Sequence, residues 1–420
     1  MLKETRKTDP ELAAIMDEER DRQVNSIEMI ASESIAPIPV MELSGSIFTN
    51  KGIEGYPGAR YQGGSQIADK MERLACERAK AVFGADHVNI QPLSGTQANY
   101  CVYAAVLEPG DKILSMDLSM GGHLSHGSPA NWISKMFNIT SYGCDKETGL
   151  IDYEALERKA HEEKPKMIIC GGSSYPRLID YERVGKIAKD VGAYSLCDMA
   201  HIAGLVAAKV IPSPIPYMDF VSSSTTKTFC NGRGGMTFCK EEFAKKLDHG
   251  LFPGCQGGMH LNIMAAKCWG FQYVASQEFH DIMEQVLKNA QCLAKELQKH
   301  GFNLITGGTD NHMVIVDLRN KGVNGRLMQN ALEGIGISVN KQVIPYDPEK
   351  PFITSGLRIG TTETTQRGFK EEDIAEVVDI ISCVTDAPEN SENLAACRQR
   401  VLRILEKYPH PTINSPAFED

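Results

Sequence analysis

Short apolar runs that alternate with helical stripes constrain the fold of this chain more than any single motif does. Residues Lys112–Met116, Lys166–Cys170, Tyr194–Cys197, Asp219–Ser222 and Gly235–Cys239 each read as a buried strand. Earlier in the chain, Ile67, Met71, Leu74, Ala75 and Val82 share one helical face that stops near Gly84. Strands returning at helix-length intervals predict a mainly parallel sheet with helices on both faces. A long stripe starts near Ser276, with Phe279, Ile282, Met283, Val286, Leu287, Ala290, Leu293 and Leu297 on its apolar side. It should pack in a core and open a smaller C-terminal α+β domain holding a strand at His312–Asp317 and, beyond it, Arg358. The expected division is an N-terminal arm over 1–50, with a charged helix at 9–24 lying over a partner subunit, a large domain over 51–275 and a small domain over 276–420. The final loop is placed at 386–393, before a helix ending near Tyr408. A chain of 420 residues is long enough for two such cores.

Charge and cysteine usage narrow the setting. A net charge of −10 argues against nucleic acid or a membrane surface as partner. The 12 cysteines show no CxxC pair, and Cys101, Cys170 and Cys197 sit in apolar runs, so reduced buried thiols are expected and no metal site is read from them. The N-terminal residues carry no apolar secretory core and no run approaches a membrane span, so a cytoplasmic protein is expected.

Three segments carry chemistry. The run Val221-Ser222-Ser223-Ser224-Thr225-Thr226-Lys227 leads from a strand end into the glycine-rich Asn231-Gly232-Arg233-Gly234-Gly235. A lone amine there is costly unless it is neutral or covalently used. Hydroxyls such as that of Ser224 and glycine N–H groups around such an amine suit pyridoxal 5′-phosphate (PLP), held as a Schiff base on Lys227. Asp198 follows the strand Tyr194–Cys197, at a carboxyl end where α/β folds bind ligands, and can accept from a protonated pyridine nitrogen. His201, three residues on, would reach the ring's phenolic oxygen. Ser94-Gly95-Thr96-Gln97 lies between the strand run Val88–Gln91 and a helical run, an arrangement that offers free N–H groups to a phosphate. Two of the segments also have a plain reading: a solvated lysine in a turn for the first, a helix-capping Asp198 and a core His201 for the second. The joint occurrence of all three in one α/β region is what sets the PLP reading above these.

With these residues in view, the chain resembles the serine hydroxymethyltransferase family from about Asn25 to Pro409. The resemblance rests on runs such as Met29–Glu33, Thr49–Tyr61, Gly121–Gly127, Asp198–Leu205, Phe252–Gly258, Gly307–His312 and Thr354–Arg358. It implies a fold-type I PLP enzyme with a mainly parallel seven-stranded sheet, and a homodimer or tetramer with composite sites. It further implies PLP on Lys227 and Asp198 at the pyridine nitrogen. His123 would stack on the ring, and Ser94, Gly95 and Thr96 would bind the phosphate, joined by Gly257 and Gly258 of the neighbouring subunit. His201 and Ser173 would make outer contacts to the ring. Arg358 would clamp the substrate carboxylate, Ser32, Tyr61 and Gln62 would shape the substrate pocket, and Glu54 would be the acid near the reacting centre. His126 is expected to be structural, and Glu363 with Arg367 a solvated pair. Asn231 and Arg233 either help the phosphate or line the mouth of the site.

Several positions depart from the family pattern. Gly52 and Ile53 replace a Tyr-Ala pair, Gln62 replaces a tyrosine next to the reacting centre, and Thr226 replaces the histidine before the lysine. Gln342 stands where an asparagine reads the pterin edge, and Gly360-Thr361-Thr362-Glu363 replaces Gly-Thr-Pro-Ala. Leu118, Gly122, Leu124 and Phe352 match pterin or glutamyl-tail positions. The expected activity is hydroxymethyl transfer between serine and glycine by retro-aldol Cα–Cβ cleavage, with tetrahydrofolate as a possible acceptor. The departures favour two rivals that dispense with folate. One is a β-hydroxy amino acid aldolase or transaldolase, the other a family member turned to racemisation, β-elimination or decarboxylation. A non-catalytic PLP-binding paralogue is the reading from another class; the retained Lys227, Asp198, His123 and Arg358 count against it.

Overall fold

A computed structural model describes residues 3–415. Two compact units emerge, one formed by residues 39–283 and the other by the described residues up to Ile38 together with those from Glu284 onward. The sequence reading places the boundaries at 50/51 and 275/276 instead.

The first unit carries helix α1 (Gln66–Phe83), which ends where Gly84 adopts a left-handed φ of 66°. Strand β1 (His87–Asn89) and helix α2 (Gly95–Val106) follow. Strands β2 (Lys112–Met116), β3 (Asn138–Tyr142), β4 (Met167–Cys170), β5 (Tyr194–Asp198), β6 (Phe220–Ser224) and β7 (Gly235–Cys239) complete a seven-stranded sheet. Its order is β1-β7-β6-β5-β4-β2-β3. Neighbours from β6 through β5, β4 and β2 to β3 run parallel, and β7 runs antiparallel to both β6 and β1. The central strands are buried on both faces, which is why their sequences are continuous apolar runs rather than alternating ones. Tyr103, Ile113, Met167, Ile169, Leu196 and Phe220 form a core against α2. Full burial of side chains of this size stabilises the unit by roughly 1.5–3 kcal/mol each.

In the second unit, helix α4 follows helix α3 (Leu261–Tyr273) of the first; α4 (Gln277–Lys299) runs across the division at 283/284. Beyond it, strands β8 (Asn303–Leu304), β9 (Met313–Asp317), β10 (Asn340–Gln342) and β11 (Gly356–Gly360) form an antiparallel sheet in the order β8-β9-β11-β10. Helices α5 (Glu371–Asp386) and α6 (Ser391–Lys407) cover it, and Val314, Val316, Leu357, Ile359, Val377, Ile381 and Val401 share its core. The strand Ile27–Glu28 pairs in parallel with Ile337–Ser338, which ties the N-terminal segment into this unit. Glu363 and Arg367 correct the expectation of a solvated pair: they are only 6% and 5% exposed. Arg367 is held inside because its guanidinium donates to the backbone carbonyls of Val24, Ser26 and Tyr408. Among the described residues, no helix is long and apolar enough to cross a membrane.

Candidate active site

Asp198 ends β5, and its carboxylate is the centre of a buried network. Oδ2 accepts from Asn99 Nδ2 at 2.9 Å and lies 3.0 Å from His126 Nε2, while Oδ1 accepts the Ala200 N–H at 3.0 Å. The His123 backbone N–H donates to His126 Nδ1, so Nε2 is the protonated nitrogen and donates to Asp198. Asn99 is fully buried. Its amide donates a second bond to Ser125 Oγ and its oxygen accepts from Ser222 Oγ. Ser125 Oγ in turn lies 2.7 Å from His123 Nδ1. Burial alone would raise the Asp198 pKa. The His126 hydrogen bond, with His123 and Lys227 nearby, outweighs it and holds the carboxyl well below its ordinary 3.8. Asp198 is thus a buried anion prepared to accept from a cationic ring N–H. The loop after β4 passes close behind it. Gly171 has a φ of +103°, and a Cβ there would fall 2.1 Å from the Asp198 carbonyl oxygen. Ser173 is fixed near the His123 loop by its N–H bond to the Gly121 carbonyl.

Lys227 opens a single 3₁₀ turn, Lys227–Phe229, with a left-handed φ of 55°. Such a φ on a non-glycine residue is a strained choice of the kind that clusters at functional sites. The surrounding bonds show what maintains it. The Thr225 N–H and Oγ1 donate to the carbonyls of Gly234 and Gly232, which closes the glycine loop. Thr228 Oγ1 donates to the His201 carbonyl and accepts the Gly204 N–H, which pins the turn to the segment after β5. Asn231 is turned away from the loop mouth, with its amide bonded to the Lys267 carbonyl on α3 and to the Gly232 N–H.

The phosphate candidates come together from distant parts of the chain. Ser94 caps α2 by accepting the Gln97 N–H, which leaves the Gly95 and Thr96 amides at a helix N-terminus. A Cβ on Gly95 would lie 3.2–3.3 Å from Ser224, so α2 and the end of β6 meet there. Ser224 Oγ is buried and has no hydrogen-bond partner among the described residues. An orphaned hydroxyl, free helix amides and a held anion one helix turn away fit a pyridoxal phosphate: phosphate at one end, ring nitrogen at the other.

Glu54 belongs to a separate cluster in the same unit. It precedes a hairpin of two short strands, Gly55–Tyr56 and Ala59–Arg60. Arg60 anchors that hairpin through buried ion pairs with Asp69, at 2.8 Å, and with Glu72. Gln62 binds Glu54 twice, accepting its backbone N–H at 2.7 Å and donating Nε2 to its Oε2 at 3.2 Å. Gly257 and Gly258 pack on the same residue, since a Cβ on Gly257 would lie 3.4 Å from Glu54 Oε1. Tyr61 is 74% exposed and meets the Phe252 ring edge-on.

Two further candidates lie in the other unit. Arg358 is on β11, paired in register with Ile315 and Asn340. Its Nη2 donates to Asn340 Oδ1 at 2.7 Å, and burial lowers the guanidinium pKa to about 10. Gly360 lets Ala31 close on the end of β11, and His312 Nε2 lies 3.0 Å from the Ala31 carbonyl, so the segment bearing Ser32 runs beside the Arg358 strand. Asn99 and Asn340 were not identified from sequence, and His126 was assigned only a structural part. The one available signal was an amide inside the apolar run of α2. Residues 5–381 match the family model described as serine hydroxymethyltransferase, nine-tenths of the chain, alongside the seven-stranded sheet and the lysine, aspartate and helix-terminus arrangement. The chain belongs to that family, and so to the PLP-dependent enzymes of fold type I that act at amino-acid α-carbons.

Proposed function

We propose that this chain cleaves the Cα–Cβ bond of serine or a related small β-hydroxy amino acid by a retro-aldol reaction. The observation that carries the reading is the Asp198 carboxylate, buried and held as an anion by His126 and Asn99. PLP supplies an electron sink for the pair released when a bond at the substrate α-carbon breaks. The chain's own residues do the rest. Asp198 Oδ1 and Oδ2 keep a proton on the ring nitrogen, and Ser224 with the α2 amides binds the phosphate. His123 covers the ring face and Lys227 Nζ supplies the amine. Arg358 takes the substrate carboxylate in the forked geometry that guanidinium favours and so selects the bond that breaks. Glu54 accepts the proton of the substrate β-hydroxyl as the aldehyde leaves. Gly257 and Gly258 pack on Glu54, so a second copy that lends its glycines to this phosphate would lend its acid as well.

Tetrahydrofolate as acceptor is the finer question. Leu118, Leu124 and Phe352 are exposed apolar side chains suited to a flat ring, whereas Gln342 donates Nε2 to the Val343 carbonyl. The test is a visible-absorption titration with PLP, followed by glycine, serine and threonine, each with and without tetrahydrofolate. Wild type should gain a visible band that Lys227→Ala lacks, and serine or threonine should be consumed with release of glycine. A band with no amino-acid response would overturn the reading. Stimulation of serine cleavage by folate would select hydroxymethyl transfer, and its absence the folate-independent aldolase.

A further inference from the structure

Gln62 stands beside the carboxylate that accepts the proton in the reaction proposed above, and its amide is committed to that carboxylate rather than left open to substrate. The oxygen accepts the Glu54 backbone N–H at 2.7 Å, and Nε2 donates to Glu54 Oε2 at 3.2 Å. The base of this contact is itself fixed. The Tyr61 N–H donates to the Glu54 carbonyl at 3.2 Å, and the Ser65 hydroxyl donates to the Gln62 carbonyl at 2.7 Å. Below it, the Arg60 guanidinium is buried against Asp69 and Glu72, and Gln91 Nε2 donates to Glu72 at 2.7 Å and to the Gly55 carbonyl at 3.0 Å. On the far side, a Cβ on Gly257 would lie 3.4 Å from Glu54 Oε1 and one on Gly258 3.7 Å from Glu54 Cγ, so both glycines pack on that side chain. The carboxylate is therefore gripped at Oε2 from one side, while Oε1 faces the glycine loop.

We propose that Gln62 is a positioning residue that acts through Glu54: it closes a two-point clasp that aims Oε1 at the substrate hydroxyl. A primary amide can accept from a backbone N–H and donate to a carboxylate at once, in one plane. The inference rests on the retro-aldol reading for its kinetic consequence, but the clasp itself does not depend on it.

The test is a double-mutant cycle with Gln62→Leu, Glu54→Gln and the pair, in the PLP-loaded full chain. Two readouts are taken: release of glycine from L-serine and L-threonine, followed by mass spectrometry, and the thermal unfolding midpoint. Gln62→Leu should lower kcat about 10-fold with little change in KM, a loss appropriate to misplacing one group. In the Glu54→Gln background the same change should cost less than about twofold, and the midpoint shifts should be non-additive. Gln62→Asn, which keeps the amide but shortens its reach, gives the same comparison should the leucine variant not fold. Equal kinetic losses in both backgrounds would overturn the inference, because a residue that touched substrate directly would matter with or without Glu54. If wild type cleaves neither amino acid, the functional reading falls, and the unfolding cycle alone decides the clasp. Additive midpoints would then reject it.

Discussion

Asp198, whose side chain is 8% exposed, and Glu363, 6% exposed, are carboxyls largely withdrawn from solvent, one in each compact unit, and they take opposite states. Asp198 has two side-chain donors and a backbone N–H, and its pKa is held down. Glu363 has a buried Oε2 with no hydrogen-bond partner among the described residues. Burial pushes its pKa up to about 8, with Arg367 opposing and Glu28 reinforcing the rise. Glu28, near Glu33 and Arg22, is itself pushed up to about 7 by burial. The lesson is that burial does not decide charge. The number and aim of the donors decide it, and Asp198 has donors that Glu363 Oε2 lacks among the described residues.

The strongest way to break this contrast is to remove the anion. Asp198→Ala should lower the rate of amino-acid cleavage by about 10²–10³-fold, the scale of losing a preorganised charge contact, while PLP still binds through Lys227 and the phosphate groups. Steady-state kinetics beside a PLP titration checks both halves.

A smaller effect follows from removing a donor. His126→Leu leaves Asp198 charged and short of one bond, and should cost on the order of 3 kcal/mol of unfolding free energy. The loss should shrink below about pH 4, where the carboxyl of the variant takes up a proton; urea unfolding at pH 7 and pH 4 compares the two.

The mildest test sharpens the other half of the comparison. Folded Glu363 keeps its proton up to about pH 8, against an ordinary value of 4.5. Stability contributed by the neutral carboxyl is complete below the lower value and is lost as the pH rises to the higher one. Glu363→Gln carries no such proton. Its unfolding free energy should fall less between pH 5 and 8, by on the order of a few kcal/mol at the upper end. Parallel slopes for the two proteins would mean that Glu363 is already ionised.

Much of the sheet was legible because its central strands are buried on both sides. Lys112–Met116 and Gly235–Cys239 coincide with β2 and β7 as read. Strand β3 was not read, since Asn138, Thr140 and Ser141 make a polar edge strand without an apolar run. The Lys227, Asp198 and Ser94 segments could be identified because each follows a strand end. The groups that hold them could not. Asn99 looks like an ordinary helix residue until Asp198 and Ser222 are folded onto it. Glu363 and Arg367, four apart, look like a surface pair because sequence spacing carries no information about the carbonyls that capture the arginine. The Glu54–Gln62 clasp closes across a hairpin too short to give a strand pattern.

Asn99 has a consequence for helix α2. Its amide donates to Ser125 and Asp198 and accepts from Ser222, so the helix cannot roll about its axis without breaking buried bonds. Gly95, four residues earlier, opens the helix at the end proposed for the phosphate. Four residues of helix, about 6 Å of rise, would therefore work as a gauge block between the two ends of the proposed cofactor site. Inserting a single residue between Gly95 and Asn99 would turn one end about 100° from the other, a mismatch no side-chain rotation could restore.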